Sequence, residues 1–284
     1  MITYPATINR VATRVMEAGS GPATMLLVHG LGARADRWRH NIDALASDGY
    51  RVVAVDLPGH GFASKGPDHD YSVPAFARFI EAVMDWAGAS RATVVGTSLG
   101  GHTAAWFACE HPERVDALVL VASTGLIPLG AERRTQTQAR VGDASREGVG
   151  RKLGIVVHDP KLVTQEWIDE ESKINSSPGA AEGFRKLGEY FGERLDEDLV
   201  MPRLSPLVAN DTLRLLLIWG ADDVGFPVTM AEAAHRQLEK APLVVLDRAA
   251  HAPYFERPEA FNRVLGDFLT GRLGEWSEPG VSYR

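Results

Sequence analysis

Cysteine is nearly absent from this chain. Its single thiol, Cys109, has no internal partner, so no disulfide framework supports the fold and nothing points to an oxidising compartment. No apolar run approaches the roughly 18 residues of a membrane span. The N-terminal Met1-Ile2-Thr3-Tyr4-Pro5-Ala6 lacks the charged-then-apolar pattern of a leader, so the expectation is an unanchored cytoplasmic protein with no membrane partner. Positive charge is in deficit: 30 Lys plus Arg face 37 Asp plus Glu, a net charge of -7, which argues against nucleic acid as a partner. No Cys/His cluster suggests a metal, and neither a metal nor a cofactor is expected. Internal repeats and low-complexity tracts are missing too.

What the chain does have is apolar content, 45% over 284 residues, enough to bury a large interior in one domain or in a core carrying an insertion. Short, continuously apolar runs recur at Met25–Val28, Arg51–Val55, Val94–Val95, Ala117–Val121, Leu213–Gly220 and Leu243–Leu246. Runs of this kind, separated by helical patterns at 36–48, 74–88, 228–238 and 258–269, imply a mostly parallel sheet covered on both faces. Residues 8–18 alternate loosely, as an edge hairpin would. The rhythm breaks between Pro128 and Val208, where Gly, Arg, Glu and Asp are frequent and amphipathic pieces such as Leu162–Ile174 and Ala181–Phe191 replace strands. That stretch reads as a helical insertion. The tail from Gly274 to Arg284 reads as poorly ordered.

The chemistry centres on Gly96-Thr97-Ser98-Leu99-Gly100-Gly101, an apolar strand running into Gly-x-Ser-x-Gly and at once into a helix. A sharp strand-to-helix turn projects the serine hydroxyl off the backbone, which makes Ser98 the candidate nucleophile. A hydroxyl needs an adjacent base at neutral pH, and His251, after the last strand, supplies it. A buried carboxylate must then hold the imidazole in one tautomer, a task for Asp222 or Asp223 on the loop after Trp219-Gly220. The other acid is expected to bond the loop backbone in an Asx turn, the part given to Asp222. Two backbone donors should face the oxyanion: the N–H of Leu99, and that of Leu31 after His29-Gly30, with Gly32 in reserve.

His29, Asp56 and His60 read as loop-bonding residues and His102 as a packing or bonding residue of the nucleophile helix. Trp38, Trp106 and Phe226 are possible pocket walls that read more simply as core.

With serine, acid and histidine on strand-end loops in that order, the chain resembles the alpha/beta-hydrolase superfamily over nearly its whole length. The matching pieces are His29-Gly30-Leu31-Gly32, Asp56-Leu57-Pro58-Gly59-His60-Gly61, Gly96 to Gly101, Trp219-Gly220-Ala221-Asp222-Asp223 and the segment from His251 to Phe261. The resemblance implies an α/β fold with a mostly parallel central sheet, helices on both faces and an inserted helical cap. It divides the chain into core residues 1–127, cap residues 128–208 and core residues 209–284. The family's Gly-x-x-Asp loop, with a proline four residues on, makes Asp223 the triad acid, since Pro227 stands there. The triad is thus Ser98, His251 and Asp223.

Val157-His158-Asp159-Pro160-Lys161-Leu162-Val163-Thr164-Gln165-Glu166 resembles the cap of hydrolases that cleave carbon–carbon bonds in ring-fission products of aromatic catabolism. The chain departs from those enzymes at Gly32-Ala33-Arg34, where they carry Gly-Pro-Gly, at Thr97 for Asn, and at Ala252 for Trp. Glu171 falls near their carboxylate-binding arginine, with Arg185 or Lys173 as substitutes. The leading expectation is therefore a serine hydrolase acting through an acyl-enzyme on a small or medium apolar ester or lactone. Carbon–carbon hydrolysis of a vinylogous diketo acid is the alternative, and a ligand receptor keeping a vestigial triad is a third reading. The partner is a small molecule, and a homodimer is left open.

Overall fold

A computed structural model describes residues 1–284. Nine strands form one sheet: β1 (Ile2–Ile8), β2 (Val11–Ala18), β3 (Ala23–Val28), β4 (Tyr50–Val55), β5 (Ala92–Thr97), β6 (Val115–Val121), β7 (Leu215–Gly220), β8 (Leu243–Leu246) and β9 (Val281–Tyr283). Their order is β1-β2-β4-β3-β5-β6-β7-β8-β9, with β4 through β8 parallel and β1, β2 and β9 antiparallel.

Alternate residues of the central strands divide between two cores, which is why these strands read as unbroken apolar runs. Leu26, Val94, Leu118 and Leu217 face one side with Phe76 of α2 (Val73–Trp86) and Phe107 of α3 (Leu99–Glu110). Leu27, Val95, Val119 and Ile218 face the other with Ile42 of α1 (Ile42–Ser47). Cys109 packs beside the first core, and burial pushes its thiol up to about 11. That makes it an inert packing residue.

Between β6 and β7 the sheet gives way to α4 (Ala131–Val141), α5 (Arg146–Val156), α6 (Gln165–Asn175), α7 (Ala180–Glu193) and α8 (Met201–Ala209). Helix α4 packs on α7 and α5 on α6, while α8 lies against α3. The chain then returns through β7, α9 (Val228–His235), β8, the short α10 (Pro253–Glu256) and α11 (Pro258–Leu269). No helix is long and apolar enough to cross a membrane.

Three local expectations need correction. The hairpin pairs β1 with β2 through Asn9 and Arg10, both at positive φ, so residues 8–18 hold only its turn and second strand. Its first strand is largely exposed and leaves little apolar signal. The helix expected at 36–48 is a 3-10 turn at Ala35–Trp38 followed by α1. Between them Asn41 Nδ2 reaches across to Tyr254 O (3.0 Å) and Asn262 Oδ1 (2.9 Å), and Trp38 stacks on Tyr254. The tail is ordered: Arg284 and Leu243 exchange backbone hydrogen bonds of 2.8 and 3.0 Å, and β9 closes the sheet edge.

Candidate active site

Ser98 stands between β5 and α3 at φ 54°, ψ -120°, a conformation that costs an L-residue of order 1–3 kcal/mol and persists only where its surroundings fix it. Four bonds do so. Its N–H donates to Val121 O at 2.9 Å, and its C=O accepts from His102 N (3.0 Å), Thr124 N (3.3 Å) and Thr124 Oγ1 (3.3 Å). The two flanking glycines are steric requirements: a Cβ on Gly96 would lie 2.3 Å from Gly100 O, and one on Gly100 2.3 Å from His29 O. The hydroxyl itself makes no hydrogen bond and borders two adjoining cavities of about 100 and 150 Å³.

His251 lines both cavities, and Asp223 lines the second. Asp223 is buried at 3% exposure; its Oδ2 holds His251 Nδ1 at 2.6 Å and its Oδ1 accepts from Phe226 N at 2.8 Å. The Phe226 ring stacks on the imidazole at 4.8 Å between centroids. With Nδ1–H bound to the carboxylate, Nε2 is the free nitrogen, the arrangement a general base requires. The Nε2–Oγ hydrogen bond is not made in this resting state, as is common before substrate enters.

Asp222, given the Asx-turn part by sequence, instead reaches away: its Oδ2 lies 2.9 Å from His158 Nδ1, and Asp223 makes the backbone bond itself. The loop curls over its own first residue, so the deeper carboxylate is the one within reach of Phe226 N.

Leu31 and Gly32 form the wall beside Ser98, and the Leu31 N–H has no acceptor within the protein. Leu99 is the first residue of α3, where the amide has no intrahelical partner. Both donors are thus unspent near the hydroxyl. His29 is fully buried, with Nδ1 donating to Gly30 O (2.8 Å) and Nε2 accepting from Leu57 N (2.9 Å), so it props the loop as a neutral imidazole. Asp56 binds Ala35 N (2.7 Å), Phe62 N (2.9 Å) and Arg14 (3.0 Å), and His60 binds Pro58 O (3.0 Å). His102 Nε2 holds Asp198 O at 2.6 Å. Phe226 borders the second cavity, whereas Trp38 packs in the core and Trp106 bonds Glu110.

The two cavities share Leu31, Ser98, Lys152, Val156, Asn175 and His251 but differ in character. Lys152 lines both, and the first adds Arg37 and Glu171. Arg37 is 5% exposed, pairs through Nη2 with Glu171 and stacks 4.3 Å over Trp167, yet its buried Nη1 has no partner. Arg34 Nη2 approaches the same carboxylate at 3.5 Å. Lys152 is half-buried with no acceptor, and burial lowers its pKa. The second cavity sets Val141, Ile155, Phe184, Phe191 and Phe226 beside Thr137 and Arg140. Of the two substitutes expected for the missing arginine, Arg185 is spent on Glu182 and Glu189 at the surface, and Lys173 is exposed; neither reaches a cavity. Sequence reasoning passed over Lys152, although it sits among Val149, Leu153 and Val156 on one face of α5, a cation on an apolar stripe.

Comparison with known proteins agrees with this fold. Residues 23–152 match a family model described as the alpha/beta hydrolase fold. The chain is 33% identical over 267 residues to the dihydrolipoyllysine-residue acetyltransferase component of the acetoin cleaving system of Cupriavidus necator, covering 94% of this chain and 68% of that protein. It is 31% identical over 265 residues to a 2-hydroxy-6-oxononadienedioate/2-hydroxy-6-oxononatrienedioate hydrolase of Burkholderia vietnamiensis, covering 89% of each. Among solved structures, a meta-cleavage product hydrolase from Pseudomonas fluorescens superposes with a TM-score of 0.81 at 26% identity, covering 94% of this chain and 97% of that one.

Proposed function

Since the chain belongs to the alpha/beta-hydrolase family and is a hydrolase, we propose that it cleaves the carbon–carbon bond of a vinylogous diketo acid, with Ser98, His251 and Asp223 as its triad. The observation that carries this reading is the two-lobed cavity meeting at Ser98. Lys152 stands where the two lobes meet, and the first lobe adds Arg37 paired with Glu171, so Lys152 supplies the positive charge left for a substrate carboxylate. The second lobe suits the hydrocarbon end. A substrate spanning both places the carbonyl between its two halves beside the serine.

In this mechanism His251 Nε2 takes the Ser98 proton as Oγ bonds to the carbonyl carbon, and the oxyanion accepts from the N–H groups of Leu31 and Leu99. Collapse breaks the carbon–carbon bond. The departing electron pair delocalises into the keto-acid half and is protonated by the imidazolium. Water, deprotonated by His251, then releases the acyl group from Ser98. The cap, residues 128–208, roofs the cavity through α4 to α7 and excludes bulk water. Asp223 keeps Nδ1 protonated and offsets the transient charge on the ring.

Ester or lactone hydrolysis is the second reading, favoured by Glu171, which occupies Arg37 and sets a carboxylate in the cavity wall. The two are separated by following the absorbance of yellow dienoate ring-fission products and the burst from a chromogenic short-chain ester, each with Ser98→Ala as control. Ser98-dependent bleaching of a dienoate is the expected result. No bleaching with several such compounds, alongside an intact ester burst, leaves the ester reading in its place.

A further inference from the structure

Four polar links tie the end of α5 to the loops carrying His251 and Asp223. His251 N donates to Val156 O at 3.0 Å, and His158 Nδ1 meets Asp222 Oδ2 at 2.9 Å. Glu256, on α10, makes the other two: Oε1 accepts from Ala250 N at 2.7 Å, and Oε2 accepts from His158 N. The carboxylate is half-buried and has no salt-bridge partner, and burial pushes its pKa up. Its two oxygens are spent on backbone amides from two distant segments, one beside the imidazole and one in the cap.

A charge that is partly desolvated without a counter-ion is costly unless its hydrogen bonds recover the loss. Here the recovery depends on both segments being in place. If residues 156–158 lift, His251 loses the acceptor of its own N–H and Glu256 loses half of its donors. The Asp223 bond and the Phe226 stack then orient the ring but no longer fix the main chain beneath it.

We propose that Glu256 is a positioning residue that couples the seating of the cap to the placement of the His251 imidazole, so that the base is set for Ser98 only beneath a closed cap. This rests on the reading of His251 as the general base of Ser98.

The test is the rate at which a fluorophosphonate probe labels Ser98 in the full chain, a reaction that needs the base but no knowledge of the substrate. Wild type labels and Ser98→Ala does not; absence of labelling in wild type overturns the triad reading itself. In Glu256→Gln, whose amide turns N–H groups toward one of the two donors, the maximal labelling rate falls about tenfold or more while the half-saturating probe concentration holds. Glu256→Ala falls further. Hydrogen exchange quickens at 156–159 and 249–252 together, with β5 amides unchanged. A folded Glu256→Gln that labels at the wild-type maximal rate, or that loosens only one of the two segments, overturns the coupling. If both Glu256 variants fail to fold, hydrogen exchange of the wild type decides it: the amides of His158 and Ala250, which share the Glu256 carboxylate, exchange at one common opening rate. Independent opening rates at the two amides overturn the proposal equally.

Discussion

Acidification should destabilise this fold steeply and well before its carboxylates titrate, because three histidines are sealed inside it as neutral rings. His29, His60 and His102 each show 0% exposure. Burial lowers their pKa to about 4, about 3 and about 4 respectively. In the unfolded chain each returns to about 6.5. The unfolded state therefore binds more protons across this window, so stability is complete above about pH 6.5 and is lost as pH falls toward the folded values. Between about pH 7 and about pH 5.5 each unfolded ring gains most of a proton while its folded counterpart stays neutral. That costs about 1 kcal/mol or a little more per histidine, and about 4 kcal/mol for the three. Against a typical total of about 5–15 kcal/mol this is a large fraction. Urea unfolding followed by tryptophan fluorescence at the two pH values measures it directly, provided the m-value is unchanged. His102→Gln, which can still donate to Asp198 O, should shrink the drop by about a third. An unfolding free energy that is flat across the window would refute the reasoning.

Three further outcomes follow from the site. Lys152→Met should raise KM for a carboxylate-bearing substrate about tenfold to a hundredfold with kcat little changed, and leave a neutral ester untouched; equal losses on both substrates refute the anchoring role. Gly100→Ala should lose about 3 kcal/mol or more in thermal unfolding, since the new Cβ meets the carbonyl oxygens of His29 and Val28 at 2.3 and 2.5 Å; a wild-type Tm with wild-type activity contradicts this. Glu171→Gln, which strips the counter-charge from buried Arg37 and leaves Arg34 with Glu170 and Asp36, should cost about 3 kcal/mol in urea, and a loss below about 1 kcal/mol argues that the Arg37 pair is solvated.

The parallel core was legible because β3 to β8 are buried on both faces and therefore apolar without alternation. Their helices followed from the 3.6-residue stripe, as in Phe76, Phe79, Ile80 and Val83 of α2. Helices α4 and α5 were not, because the first buries only Val141 and the second trades stripe positions for glycine and Lys152. Strand β9 is three residues long and takes its order from β8, which no local pattern announces. At the site, motifs located Ser98, Asp223 and His251 because turn geometry demands particular residues there. Arg37, Lys152 and Glu256 left no such trace. Their roles depend on which segments the cap brings over the sheet, and sequence separation hides that: Arg37 meets a carboxylate 134 positions away.

The Arg34–Arg37–Glu171 contact joins the loop after β3 to α6 across the wall of the first cavity. On the proposed function, the residues beside the substrate carboxylate are therefore also residues that hold this loop to the cap. Retargeting this enzyme by exchanging those charges would erode its robustness in the same stroke, so a change of preference is more safely sought among the aliphatic and aromatic side chains of the other lobe, Ile155, Phe184 and Phe191.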